Sequence, residues 1–340
     1  MPRLNHARHE AGFSLIELMI GMLLGLIVTA AAIGIFASNS NTQRATESLG
    51  RIQENARVAF ELMARDIREA GGNICSRNLP VANVLNNPGA AWWASAPMVR
   101  GYDGAQAFPD AAFGSGAGQR VNGTDAIELV STSASGLTVV SHNPTSAQFQ
   151  VNNSSHDLAV GDIVLACDNR QQSVFQMTGP SSTNNTVVHN TGGGGPSPGN
   201  CSKGLGFADP IDCSTNGQSY EYGPNSQVAK LRAARWYVGN NGRGGLSLYQ
   251  AALRNNSGTP GVTAEEVAEG VTDLQFEFLP IDGAAYQVAN GVADWSQIAA
   301  VRVTVTLRGG QGSISENVGT DGASLQRQFT HVVTLRNRLP

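Results

Sequence analysis

Charge is what this sequence has least of. Only 14% of its 340 residues are Asp, Glu, Lys or Arg, with 22 basic against 26 acidic. Without a broad basic excess, nucleic acid is not the default partner. Strings that carry enzyme chemistry are missing too. Walker A and H-E-x-x-H are absent, and no full EF-hand loop occurs. The four cysteines include no C-x-x-C pair, and nearby histidines lack ligand spacing, which argues against zinc. No catalytic residue, metal or cofactor is expected. Gly195-Pro196-Ser197-Pro198-Gly199 does match G-x-S-x-G. That elbow needs a strand before it and a helix after it, whereas a glycine run precedes this one and prolines flank the serine, so a flexible loop is expected. His142, His156, His189 and His331 read as scattered surface or strand histidines. Lys230, Arg232 and Arg235 read as a solvated strand edge, with DNA contact a distant second.

What is present is a long apolar run. From Leu18 to Ala37 no residue is ionisable. At about 1.5 Å per residue the run spans roughly 30 Å, the thickness of a bilayer's hydrocarbon core. It exceeds the h-region of a secretory signal peptide and continues into a periodic helical pattern, not a cleavage signal. Glu17 stands at its head, where a carboxylate held charged at mid-bilayer costs about 2.5–3.5 kcal/mol and less near the interface. Glu17 marks the membrane edge or has a partner. Arg3 and Arg8 precede the run and predict a cytoplasmic leader with the rest of the chain outside.

Between Arg44 and Ala70 the residues Ala45, Leu49, Ile52, Ala56, Ala59, Met63, Ile67 and Ala70 recur at helical spacing and predict one apolar stripe. Glu47–Arg51, Glu61–Arg65 and Arg65–Glu69 are spaced to pair on the opposite face. Gly71-Gly72 stops the pattern. A continuous helix from Phe13 to Ala70 would be about 87 Å long, with Gly21, Gly25 and Gly34 as points of bending or close approach. Residues 72–340 are Gly-rich and turn-rich, and predict a β-rich head. Strands are expected at Ala126–Ser131, Leu137–Ser141, Asp162–Ala166, Ser173–Met177, Thr186–His189, Ala234–Val238, Leu246–Ala251, Leu274–Phe278, Tyr286–Val288, Ala300–Arg308 and Phe329–Asn337. Val301, Val303, Val305 and Leu307 should share one face. The stretch from Pro80 to about Gly123 reads as an irregular connection with one short helix, and Trp92-Trp93 as its anchor on the core in preference to an adhesive spot. The fold class is α+β.

Cys75, Cys167, Cys201 and Cys213 form an even set, which outside the cytoplasm favours disulfides. Three pairings are open. The short Gly- and Asp-containing loop between Cys201 and Cys213 inclines the choice to that pair, with Cys75–Cys167 as the other.

Gly12-Phe13-Ser14-Leu15-Ile16-Glu17 after a short basic leader resembles the type III signal of type IV prepilins and pseudopilins. The resemblance implies cleavage by a prepilin peptidase between Gly12 and Phe13, N-methylation of Phe13, and an assembly role for Glu17 opposite a neighbouring subunit's terminal amine. Arg51–Phe60 and Arg65–Gly71 look like the post-membrane helix of PilW-type minor pilins. Val267–Phe278, Trp295–Leu307 and the closing Thr334–Arg338 are similar to the C-terminal part of GspJ-type pseudopilins and PilW-like pilins. Residues 79–230 carry no such wording beyond Asp162–Phe175. The implied protein is a non-enzymatic minor pilin: a leader (1–12), a membrane segment (13–37), an amphipathic stalk (38–71) and a head (72–340, with an inner boundary near 192–228). Its implied partners are other minor pilins and the major pilin, the prepilin peptidase, the inner-membrane assembly platform, a tip adhesin, and membrane lipid before assembly. Its expected course runs from the inner membrane, head in the periplasm, to a pilus on the cell surface. A minor pseudopilin of a type II secretion system and a tip-displayed adhesive or DNA-binding module are the alternatives.

Overall fold

A computed structural model describes residues 12–70, 72, 74–75, 79–95, 98–133, 136–180, 184–191, 197–309 and 324–335. The leader before Gly12, Gly71, Gly195-Pro196 and the closing Arg336–Arg338 lie outside the described residues.

Helix α1 (Leu15–Glu69) is one uninterrupted element of 55 residues, about 82 Å long. Gly21, Gly25 and Gly34 do not break it, because an isolated glycine costs a helix only about 1 kcal/mol against alanine. The predicted stripe is buried from Ile52 through Ala56, Ala59, Met63 and Ile67 to Ala70, while Ala45 and Leu49 are half-buried. On the outer face Glu47–Arg51 and Arg65–Glu69 pair at 2.9 and 3.3 Å. Glu61 takes Arg57 at 2.8 Å in place of Arg65.

The head is built from strands β1 (Val81–Asn83), β2 (Val99–Tyr102), β3 (Ala126–Thr132), β4 (Leu137–Asn143), β5 (Gln148–Val151), β6 (Ile163–Cys167), β7 (Gln172–Gln176), β8 (Thr186–Val188), β9 (Gln227–Asn240), β10 (Leu246–Asn256), β11 (Thr259–Glu269), β12 (Val271–Pro280), β13 (Ile298–Arg308) and β14 (Gln326–Thr334). A short helix α2 (Trp92–Ser95) carries the paired tryptophans. The molecule is therefore α+β, a long N-terminal apolar helix on a β-rich head.

Strand β9 organises the larger sheet. Its first residues, Gln227–Lys230, pair with β6 and, at Gln227 and Val228, also with β4, and its later residues pair with β3 on one side and β10 on the other. The expected strand Ala234–Val238 is thus only the middle of a longer one. This corrects the solvated-edge reading of Lys230, Arg232 and Arg235, since they lie on a central strand. Lys230 Nζ meets Asp162 at 2.8 Å and Arg235 is buried.

Of hairpin β10–β11 only the first strand falls where the sequence predicts one. Thr259–Glu269 carries Pro260, Gly261 and adjacent glutamates, a poor strand composition, yet it pairs with β10 along its length. The pairing is set by the two-residue turn Ser257-Gly258, both at positive φ as a type I′ turn requires. The hairpin tip touches the β6 side of the head. Gly161, at φ +94, sits so close to Gly258 that a Cβ there would strike its backbone. Strands β1, β2 and β5 were also not anticipated. Tyr286–Val288 forms no strand; it makes one bridge, with Phe278 and Gln287 exchanging backbone hydrogen bonds at 2.8 Å.

The smaller sheet is β12-β13-β14, all antiparallel. Val301, Val303, Val305 and Leu307 of β13 and Leu274, Phe276 and Phe278 of β12 are buried together with the α1 stripe, so both sheets and the helix share one core. A second cluster contains Phe149, Phe175 and Tyr222, and a third surrounds Trp93, Cys75 and Cys167. Cys75 is bonded to Cys167 with Cα atoms 5.8 Å apart, and Cys201 to Cys213 at 4.9 Å.

Candidate functional site

The chain enters α1 through an exposed, non-helical stretch, Gly12–Ser14. Phe13 is 90% exposed, so the Gly12–Phe13 bond lies in open backbone ahead of the first turn. Ser14 is the N-cap. Its hydroxyl accepts the Glu17 backbone N–H at 3.2 Å, and the Glu17 carboxylate accepts the Ser14 N–H at 3.0 Å. This reciprocal box satisfies two of the amide groups a helix start leaves open, and places an acid where the helix dipole favours it. Glu17 therefore has a hydrogen-bond partner within its own chain, at the head of the apolar run.

Above this cap the helix is apolar all round. All fifteen large hydrophobic residues from Phe13 to Phe36 are exposed. This part of the helix is long and apolar enough to cross a membrane, and none of it is buried. The one hydroxyl in the middle of the run is cared for locally, since Thr29 Oγ1 donates to the Gly25 carbonyl at 2.7 Å. Such a surface is at home in lipid or among like helices and not in water.

The other half of α1 is fixed to the head by polar as well as apolar contacts. Asp66 accepts the Trp236 indole N–H at 2.9 Å and the Gln250 amide at 2.6 Å. Burial pushes the Asp66 carboxyl up, against the pull of those two hydrogen bonds. Asn55 donates to the Glu269 carbonyl at 2.9 Å, and Phe60 stacks on His331 at 3.8 Å. One end of the helix is thus held and the other projects.

The irregular connection before β3 is tied down by charge. Arg235 forms a bidentate pair with Asp110 at 2.7 and 3.0 Å and reaches Glu128 at 2.6 Å. Its guanidinium lies over the rings of Trp92 at 4.4 Å and Phe108 at 4.2 Å. Glu128 also accepts the Tyr102 hydroxyl at 2.9 Å. Trp93 is buried and Trp92 half-buried, so the tryptophan pair anchors the connection and an adhesive role loses its motivation.

His331 is exposed on β14 as expected, whereas two of the other histidines come together. His142 and His189 are buried with their Nε2 atoms 3.1 Å apart. The residues are far apart in sequence and neither lies in a recognisable motif, so only the folded chain reveals the pair. Among the described residues no group of three or more His, Cys, Asp or Glu is arranged to hold a metal ion.

Residues 7–33 match the family described as the prokaryotic N-terminal methylation motif, and residues 235–337 match the type IV pilus-assembly protein W family. The chain is also similar to a pilin-like protein, PilA3, of Thermus thermophilus, 30% identical over 62 residues, which are 18% of this chain and 27% of that relative. No solved structure matches. The first family covers the capped start of the exposed helix, and the second covers the end of β9 and all of β10 to β14, strands on which the helix is seated. The methylation-motif match at the head of the helix and the assembly-protein W match over the C-terminal part of the head together support a PilW-like minor pilin of the type IV kind.

Proposed function

We propose that the chain is made as a prepilin, anchored by Phe13–Ala37 in the inner membrane with its head in the periplasm, and then built into a type IV pilus. The observation that carries this is the division of α1: a capped apolar half with all its large side chains exposed, continuous with a half buried in the head. In the membrane the exposed half meets lipid. In the fibre it meets the helices of other pilins, minor and major, and the cost of extraction is offset by helix–helix packing. Prepilin peptidase cuts after Gly12, Phe13 becomes the methylated terminus, and Glu17 faces the terminal amine of a neighbour. The bulk of the head suits the start of a fibre, so the protein acts in initiation with the assembly platform and stays at the tip, where a tip adhesin is a further partner. Its role is structural and not catalytic. The assembly-protein W match supports the pilus over the secretion pseudopilus.

The test is mass spectrometry of the chain recovered from sheared pili. The expected N-terminal peptide begins with methylated Phe13. Assembled chains that retain residues before Phe13 would count against the scheme, as would the chain's absence from pili.

A further inference from the structure

His142 lies on β4 and His189 follows β8, and both rings are buried. Hydrogen bonding fixes their tautomers. The Tyr222 backbone N–H donates to Nδ1 of His142 at 3.1 Å, so that nitrogen carries no proton. The neutral ring then holds its proton on Nε2 and donates it to Nε2 of His189, 3.1 Å away. His189 keeps its own proton on Nδ1, which is buried and has no partner among the described residues.

A further proton has two places to go. On Nδ1 of His142 it opposes the Tyr222 N–H. On Nε2 of His189 it opposes the Nε2–H of His142. Either way one of the two bonds breaks, and a buried donor is left unpaired at a cost of about 1–3 kcal/mol.

The surroundings offer no compensation. Phe149 of β5 stacks on His142 at 4.0 Å and lies 5.1 Å from His189, and Phe175 of β7 lies 5.3 Å from His189. The Tyr222 ring is 5.9 Å from His142, and its hydroxyl is engaged by Ser173 and Gln171. Asp168, which accepts the Tyr220 hydroxyl at 2.5 Å, stands behind that second tyrosine. The rings in contact with the pair are thus two phenyls and one phenol, within an apolar cluster, and no carboxylate acts on either histidine among the described residues.

We propose that His142 and His189 form a pH-sensitive latch. While both rings are neutral, the latch holds the segment around Tyr222 against the β4–β5–β8 strands, and it lets go when the pair gains a proton. The segment it holds is substantial. Tyr222 is buried in the cluster with Phe149, Phe175 and Leu205, next to the loop closed by Cys201–Cys213. Burial works in the same direction, holding His142 down to about 4 and His189 to about 3 from 6.5. Both folded values lie below the unfolded one. The stabilisation is therefore fully present above about 6.5 and is lost as pH falls towards about 4. An exported head that meets acidic surroundings would loosen in this region first.

The test is hydrogen exchange of the full chain in detergent, at about pH 7.5 and about pH 4.5, corrected for intrinsic exchange. Amides of β4, β5, β8 and residues 220–226 should lose protection reversibly at the lower pH, while β9 to β13 keep theirs. The open population should rise about ten-fold per pH unit below about 6.5 for each proton taken up. Unchanged protection in the native chain overturns the latch. So does the same acid loss in a chain carrying His142→Phe with His189→Leu, which should be insensitive. Where that double variant does not fold, His189→Gln keeps an acceptor facing His142. It should shift the acid profile, and an unchanged profile also overturns the proposal.

Discussion

Asp66, near the end of α1, accepts the indole N–H of Trp236 from the middle of β9 at 2.9 Å, and this bond joins the stalk to the central strand of the head. Asp66→Ala leaves that indole and the Gln250 amide without their acceptor. The expected cost is about 2–4 kcal/mol in denaturant unfolding. Asp66→Asn keeps an oxygen in place and sheds a charge that burial disfavours, so it should recover most of the loss. Equal destabilisation by both substitutions would mean that the hydrogen bonds are not what joins the two parts.

Ser14→Ala and Glu17→Ala separate local capping from a role between subunits. Each removes half of the same capping box and should cost the helix start about 1 kcal/mol. Only Glu17→Ala also removes the carboxylate. Leader cleavage should continue in both, with assembly impaired far more by Glu17→Ala, as read from the chain's abundance in sheared pili. Equal incorporation of the two variants would reduce Glu17 to a cap.

Arg235 tests whether buried charge holds the irregular connection. Arg235→Met leaves Glu128 buried and unpaired, at an expected cost of about 3–5 kcal/mol. Adding Glu128→Leu should recover a large part of it, because no uncompensated charge then remains. Thermal unfolding of the single and double variants measures this, and a double variant as weak as the single would point to lost ring contacts with Trp92 and Phe108 instead.

Asp125 carries a pH dependence of the opposite sign to the histidine pair. Its carboxyl accepts the Phe276 N–H at 2.9 Å, but burial dominates and raises it from 3.8 to about 6. The folded value lies above the unfolded one. Its contribution is therefore fully present below about 3.8 and is lost as pH rises through about 6. The stability of the native chain minus that of Asp125→Asn should fall by about 3 kcal/mol across that window. A difference that stays flat with pH would show that Asp125 titrates normally.

The apolar run, the stripe beyond it and the alternation in β13 were legible because each is a local period, and a single buried face forces it. Strand β11 was not legible, since Pro260, Gly261 and its glutamates argue against a strand and only the turn at Ser257-Gly258 and the waiting edge of β10 make it one. Arg235 and Lys230 were misread for a related reason. A basic residue on a strand looks solvated until the acids that meet it, Glu128, Asp110 and Asp162, are brought in from other elements.

Sequence by itself determined the long helix, its capped and apolar start, the amphipathic half that follows, and a β-rich head. These depend on neighbours a few residues apart, and the chain carries them wherever it goes. Tertiary structure alone decided that β9 would be central, that Asp66 would meet Trp236, and that His142 and His189 would share a proton far from water. Those pairings join residues distant in sequence, and burial makes them matter by removing the solvent that would otherwise satisfy each group.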